Sequence, residues 1–129
     1  MMRVQIQRRF SDLDPLGHVN NVAYHDYLQE ARMGLISELD AVVNDDYAMV
    51  VVSQEIRHIK SLGYSREPLV IEAQVTDMAR TSYSIVYRIL DDHGDVAAEA
   101  TTRLAVVDAE SGRPMRMPEA LRERLLAAG

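Results

Sequence analysis

The sequence predicts an α+β fold, with one long helix on one face of a curved antiparallel sheet of about five strands and a short C-terminal helix. Three observations predict it. Apolar residues recur at steps of three and four between residues 23 and 39, as on one face of a helix. Before and after that stretch they alternate with polar residues, which is typical of half-buried strands. The gaps between the later strands are short, which favours hairpins, because parallel crossovers need about a dozen residues or more.

The first predicted strand runs from Val4 to Phe10, where apolar and polar residues alternate except at Arg8. A turn-rich stretch with a proline and a glycine follows it. The predicted helix then begins near Asn20 or Asn21, since an asparagine side chain can accept from a free N–H at a helix start. The apolar stripe of the helix consists of Ala23, Tyr24, Tyr27, Leu28, Ala31, Leu35 and Leu39.

Two charged residues lie within the same helical stretch. Glu30 and Arg32 are expected to form a structural ion pair that plays no part in chemistry. The alternation returns after the helix, and it predicts strands over Met49–Lys60 and over residues 69–75, 83–89 and 96–106. Pro118 then opens the short terminal helix, which carries Leu121 and Leu125 on one side. The outer strands leave backbone groups unpaired, so we expect a homodimer or homotetramer.

Length and composition narrow the function classes. The 129 residues predict a single domain, 1–129, because single cores typically hold about 100–150 residues. A formal charge of −6 argues against a nucleic-acid partner, which would require a basic face. The chain has no cysteine, so thiolate chemistry is excluded and a cytoplasmic location is favoured. Its longest apolar run, Tyr47 to Val52, is far shorter than the roughly 20 residues of a membrane span.

The loop from Asp12 to Asn21 carries the chemical information. It places a carboxylate a few residues before a helix N-terminus, whose free N–H groups can polarise a carbonyl oxygen. A carboxylate beside such an oxyanion site can act as a nucleophile or a general base. Because carboxylates are weak nucleophiles, the arrangement suits a reactive acyl group such as a thioester. A purely structural alternative also fits, since Asp before Pro opens turns and asparagines cap helices.

The same segment resembles a known family. Residues 9–24, Arg-Phe-Ser-Asp-Leu-Asp-Pro-Leu-Gly-His-Val-Asn-Asn-Val-Ala-Tyr, followed by Tyr27, Glu30, Ala31 and Arg32, closely resemble the opening of hotdog-fold acyl-CoA thioesterases. The match is to the 4-hydroxybenzoyl-CoA thioesterase-like branch. It continues weakly through residues 55–60, 80–82 and 107–114, and so covers almost the whole chain.

The resemblance implies a helix wrapped by a curved sheet, two chains paired edge to edge, and an acyl site between them. Asp14 would be the nucleophile or the base on water, and the Asn21 backbone N–H would hold the thioester oxygen. Gly17 would let the loop approach the substrate closely. The related plant acyl-carrier-protein thioesterases carry an asparagine two residues after the acid, where this chain has Leu16. His18 therefore either bonds substrate or water, or packs against the helix.

The remaining candidates concern substrate binding. The side chains of Asn20 and Asn21 are each either a substrate-facing amide or a helix cap, with a cap favoured for at least one of them, and Tyr24 is a further candidate contact. Coenzyme A carries several phosphate charges, which this acidic chain would repel at long range, so binding requires local cations. The candidates are Arg57, Lys60, Arg66 and Arg80.

We expect no metal and no cofactor, since coenzyme A would enter as part of the substrate. The sequence leaves open a non-catalytic acyl-thioester binding protein and a thioesterase acting on acyl carrier protein. A hotdog dehydratase is disfavoured, because its helix-opening motif is missing.

Overall fold

Five antiparallel strands form one sheet in the order β1-β3-β4-β5-β2, so β1 and β2 are its edges. The computed structural model describes residues 1–38 and 46–127. The elements are β1 (Met2–Ile6), a short 3-10 helix (Phe10–Asp12), α1 (Asn21–Glu38), β2 (Tyr47–His58), β3 (Leu69–Thr76), β4 (Ser82–Leu90), β5 (Val96–Asp108) and α2 (Glu119–Ala127). The predicted α+β architecture is confirmed.

The apolar stripe of α1 faces the sheet, as predicted. Leu28, Ala31 and Leu35 are fully buried, and the two tyrosines of the stripe are buried with them. The sheet contributes alternate residues of β3, β4 and β5 to the same core, which is what a period of two requires of strands with one covered face. The last predicted member of the stripe, Leu39, lies outside the described residues.

The predicted first strand is too long. β1 ends at Ile6, and Phe10 belongs to the 3-10 helix, where its ring is exposed and contacts Tyr64 edge-on. Arg8 explains the early end, because its side chain is buried instead of solvated. Its guanidinium donates to the Gly63 carbonyl at 3.1 Å and pairs with Asp92 at 2.6 Å, so the chain turns away from the sheet there.

The other boundaries move by about one turn or less, as is usual at the ends of elements. β2 runs two residues earlier than predicted at both ends, from Tyr47 to His58. Pro118 directly precedes α2, and its carbonyl accepts from the Arg122 N–H at 2.9 Å. The predicted pairing of Glu30 with Arg32 is wrong: Glu30 is exposed, whereas Arg32 is buried against the sheet.

A row of alternating charges crosses the outer face of the sheet, opposite α1. Arg3, Glu72, Arg88, Glu99 and Arg57 lie opposite one another in register on β1, β3, β4, β5 and β2. Glu72 is buried between two of the arginines, at 3.1 Å from Arg3 and 2.7 Å from Arg88. Opposite charges facing each other across strands stabilise a sheet. Arg57 therefore belongs to the outer face.

The edge strand β2 carries exposed apolar side chains. Val50, Val51 and Val52 are exposed, and the register with β5 shifts between Val51 and Ser53, as at a β-bulge. Met33 of α1 and Ile59, which directly follows β2, are also exposed. Free edges with apolar side chains favour pairing with another chain. Within the described ranges, no helix is long and apolar enough to cross a membrane.

Candidate active site

The turn that carries Asp14 is built by the sequence Asp14-Pro15-Leu16-Gly17. The Gly17 N–H donates to the Asp14 carbonyl at 3.0 Å, which closes a four-residue turn with proline in its second position. Gly17 has a φ of +80°, a conformation that is strained for residues with a Cβ. The Asp14 N–H then donates to the His18 carbonyl at 2.8 Å. The loop is therefore held in shape by its own backbone.

One oxygen of the Asp14 carboxylate belongs to this turn and the other does not. Oδ1 accepts from the N–H groups of Leu16 at 2.9 Å and His18 at 3.1 Å. Oδ2 accepts from no donor in the described part of the chain, and the residue is only partly buried. The turn thus fixes the direction of the carboxylate while leaving one oxygen free to react.

Asp12, two residues earlier, anchors the loop to the helix. Its buried carboxylate accepts from the Tyr27 hydroxyl at 2.6 Å and from the Arg9 N–H at 3.1 Å, and it pairs with the Arg9 guanidinium at 2.9 Å. The Asp12 carbonyl accepts from the Asn20 N–H at 2.8 Å. Both ends of the loop are tied to this residue.

These contacts shift two pKa values. Burial alone would raise the pKa of the Asp12 carboxyl, but the hydrogen bonds from Tyr27 and Arg9 outweigh it and hold that pKa below its usual range. Burial, reinforced by the bond to Asp12, raises the pKa of the Tyr27 hydroxyl well above its usual value. Asp12 is therefore charged and Tyr27 neutral at physiological pH.

The start of α1 presents one free amide to the loop. The Asn20 side chain accepts from the Val22 N–H at 2.9 Å, and the Asn20 carbonyl accepts from the Ala23 N–H at 2.9 Å. The Asn21 N–H has no acceptor among the described residues. Of the two predicted alternatives for Asn20, the helix cap is confirmed. Asn20 does not line the cleft described next, so its predicted substrate contact is not supported.

A cleft of about 300 Å³ brings Asp14, His18, Asn21 and Tyr24 together with residues that follow β2. The buried Tyr24 ring meets the His58 ring edge-on, with ring centroids 4.7 Å apart. Burial raises the pKa of the Tyr24 hydroxyl. The sequence did not single out His58, Ile59 and Ser61, which also line the cleft. The resemblance over residues 55–60 includes His58 and Ile59, but nothing in the sequence pointed to Ser61.

The predicted cations do not form one patch within the protomer. Lys60 lines the cleft but is paired with Asp91 at 2.7 Å and with Asp95 at 3.4 Å. The Asp91 contact raises the pKa of Lys60, and in return Lys60 lowers the pKa of Asp91 to about 2. Arg66 lies on the exposed connection between β2 and β3 at the same end of the sheet.

The other two predicted cations lie further away. Arg57 belongs to the charged row on the outer face. Arg80 lies in the turn between β3 and β4, beside Arg116 and Arg122, at the opposite end of the sheet from the cleft.

The arrangement suits attack on a polarised carbonyl group. A free carboxylate oxygen and a free backbone N–H lie in one cleft, and each is held by its own hydrogen bonds. No group of three potential metal-ligating side chains occurs among the described residues. The cleft is open and is bounded on one side by the edge of the sheet, where a further surface could complete it.

The family and the relatives of this fold identify a thioester hydrolase. The chain matches the thioesterase-like superfamily over residues 8–125 and belongs to it. The resemblance to hotdog-fold acyl-CoA thioesterases and the predicted hotdog fold are confirmed, and the enzyme class with them.

Individual relatives agree over nearly the whole chain. The long-chain acyl-CoA thioesterase FadM of Escherichia coli K12 is 29% identical over an alignment of 128 residues that covers 96% of each chain. A thioesterase from Thermus thermophilus, solved in complex with coenzyme A and Zn, is 30% identical with a TM-score of 0.83 over 98% of this chain and 92% of that one. The PA5185 protein of Pseudomonas aeruginosa PAO1 shares the fold, with a TM-score of 0.90 at 21% identity over 99% and 91% of the two chains.

The Asp12–Tyr27 contact gives the first prediction. Tyr27→Phe removes the hydroxyl that stabilises the charged carboxylate, and we expect the free energy of unfolding at pH 7 to fall by about 1–3 kcal/mol. A carboxyl group with a lowered pKa stabilises the fold above its unfolded pKa of about 3.9 and loses that effect as the pH falls through its folded pKa. The deficit of the variant should therefore shrink between pH 7 and pH 3 in urea titrations.

Tyr83→Phe is the matched control. The Tyr83 hydroxyl is also buried, but it donates to the neutral Met49 sulfur at 2.7 Å. Its removal should cost the same free energy at both pH values. Equal deficits at the two pH values for Tyr27→Phe would contradict the role given to the Asp12 charge.

Proposed function

We propose that the protein hydrolyses acyl-CoA thioesters, with Asp14 as the nucleophile or general base and the Asn21 N–H as the donor to the thioester oxygen. The observation that carries the proposal is the divided carboxylate of Asp14: Oδ1 is bonded to the turn, Oδ2 accepts from no described donor, and Asp14 and Asn21 line the same cleft. The acyl-CoA substrate is supported by the likeness to FadM and to the Thermus thioesterase.

Both roles of Asp14 give a balanced reaction. As a nucleophile, its free oxygen bonds to the carbonyl carbon, the C–S bond breaks, and water then hydrolyses the acyl-enzyme anhydride. As a base, it takes a proton from a water molecule whose oxygen attacks the same carbon. In each case the negative charge develops on the carbonyl oxygen, where a helix N-terminal amide stabilises it. The C–S bond breaks in both routes and coenzyme A leaves as the thiolate; it takes up a proton that Asp14 passes on in the general-base route and that the hydrolysing water releases in the nucleophilic route.

The site is proposed to lie between two chains paired along β2. The cleft borders the end of that edge strand, and the exposed Val50, Val51 and Val52 lie along it. Antiparallel pairing of two copies would set the end of β2 of one protomer beside the beginning of β2 of its partner. The end of the sheet that carries Arg80 of the partner subunit would then lie on the same side as the Asp14 cleft. Lys60 and Arg66 would supply cations from the protomer itself.

The second prediction concerns Asp14. Asp14→Asn keeps an oxygen for the turn but removes the charge, and we expect thiol release from acyl-CoA to fall by about 10²–10⁴-fold. Asp108→Asn is the matched control, because Asp108 Oδ1 likewise accepts two backbone N–H groups, at 3.0 and 2.8 Å, in a turn away from the cleft. Its turnover should stay near that of the unmodified protein.

The assay should use acyl-CoA and acyl-carrier-protein thioesters with the same acyl group. Comparable release by Asp14→Asn and the unmodified protein would refute the assignment of Asp14. Turnover confined to the carrier-protein thioester would overturn coenzyme A as the substrate handle. Binding without any release by the unmodified protein would leave it a thioester-binding protein.

The third prediction concerns assembly. Sedimentation velocity should show a dimer or a larger species, and Val52→Lys should weaken association by roughly tenfold or more, since it places like charges in the pairing region. Hydrolysis should fall with dissociation. Gln5→Lys, which adds the same charge to the other edge strand, should change neither. A stable, active monomer of the unmodified protein would rule out the shared site.

A further inference from the structure

A buried arginine without a counter-ion lies between α1 and the sheet. Arg32 is only 8% exposed, yet it pairs with no carboxylate in the described part of the chain. Nη1 donates to the Gln54 Oε1 at 3.1 Å, and its contacts with the hydroxyls of Tyr87 and Thr102 are both 3.5 Å, at the limit for a hydrogen bond. Buried charges in proteins are normally paired with an opposite charge, and this guanidinium has no such partner among the described residues.

Arg32 also lines a cavity. Its Nε and Nη2 donate to no described residue. The cavity has a volume of about 200 Å³, and none of the described residues that line it is acidic. Its other walls are largely apolar and include Met33, Ile36, Met49, Val51 and Leu104.

The cavity and the Asp14 cleft lie along the same strip between α1 and β2. Asn21 and Tyr24 of α1 and His58 of β2 line the cleft, while Arg32 and Val51 line the cavity. Asn21, His25 and Arg32 are spaced by four and seven residues, which places them on one helix face. Eleven residues of helix span about 16 Å.

A polar contact lies between the two sites. The His25 Nδ1 and the Gln54 Nε2 are 2.7 Å apart. The Gln54 Oε1 also accepts from Arg32 and, at 2.7 Å, from the Thr102 hydroxyl. A chain that follows the strip from the cleft would pass this contact before it reaches the guanidinium.

We propose that the cavity receives the far end of the acyl chain and that Arg32 binds a carboxylate there, so that the preferred substrates are thioesters of dicarboxylic acids. The inference rests on the proposed function, because it requires the thioester to lie at Asp14. A planar carboxylate fits two adjacent N–H groups of a guanidinium and supplies the missing charge. The small apolar cavity suits a chain end of this kind better than a bulky phosphate ester.

The fourth prediction compares matched pairs of substrates on the full chain: hexanoyl- and adipoyl-CoA, octanoyl- and suberoyl-CoA, decanoyl- and sebacoyl-CoA, and dodecanoyl- and dodecanedioyl-CoA. We expect kcat/KM to favour the diacid at the length that reaches Arg32. In Arg32→Met this preference should fall by about tenfold to a hundredfold, while the monoacid is hydrolysed as before. Arg32→Lys should restore part of it, and Arg113→Met, which removes an exposed arginine, should leave it unchanged.

A second pair of variants keeps the test valid if Arg32→Met fails to fold. Met33 lies at the mouth of the cavity and is 55% exposed, so changes there should not disturb the core. Met33→Glu offers Arg32 an internal carboxylate and should reduce turnover of the diacid more than that of the monoacid. Met33→Gln has nearly the same shape without the charge and should leave the ratio intact.

The outcomes separate this inference from the proposed function. Hydrolysis of monoacid thioesters with no diacid preference at any length would overturn the role of Arg32 alone. If no thioester is hydrolysed, calorimetry with free dodecanedioic and dodecanoic acids decides: tighter binding of the diacid that is lost in Arg32→Met supports the carboxylate site, and equal binding refutes it. A diacid preference that persists in Arg32→Met would also refute it.

Discussion

The buried carboxylate of Asp12 is the constraint on which the site depends. It holds Arg9 before the loop and Tyr27 within α1, and its backbone carbonyl holds Asn20 after the loop. Asp14, only two residues away, is more exposed and keeps one oxygen free. The two aspartates therefore have different roles. Both carboxylate oxygens of Asp12 have partners, and Asp12 fixes the position of the loop. Asp14 has described partners for only one carboxylate oxygen.

The sequence was sufficient to predict those features of the fold and of the site that depend on contacts between neighbouring residues. The turn at Asp14-Pro15-Leu16-Gly17 needs only residue types that favour each turn position. The cap at Asn20 involves an N–H two residues further on. The alternation in the strands predicted the covered face because side chains point to opposite faces in turn. For the same reason the architecture and most element boundaries were correct to within one or two residues, and the Asp14 loop was identified.

Residues whose roles depend on distant parts of the chain could not be identified in this way. Arg57 and His58 are neighbours in sequence, but Arg57 joins a charged row across the outer face and His58 meets Tyr24 in the cleft. The choice between those faces is set by the register of β2 with β5, which composition does not show. The early end of β1 at Arg8 could not be predicted either, because the acceptors of the Arg8 guanidinium lie 55 or more positions away in the sequence.

The two buried arginines show how the same side chain serves opposite purposes. Arg8 meets the Asp92 carboxylate and two carbonyls, so its charge is compensated and it holds loops together. Among the described residues Arg32 meets only neutral acceptors, through one nitrogen, and it lines a largely apolar cavity. A charge pair in such surroundings is screened far less than one at the surface, such as Lys60 with Asp91. In a chain with a net charge of −6, attraction for an anionic group at this position therefore depends on Arg32, which no carboxylate of the described residues neutralises.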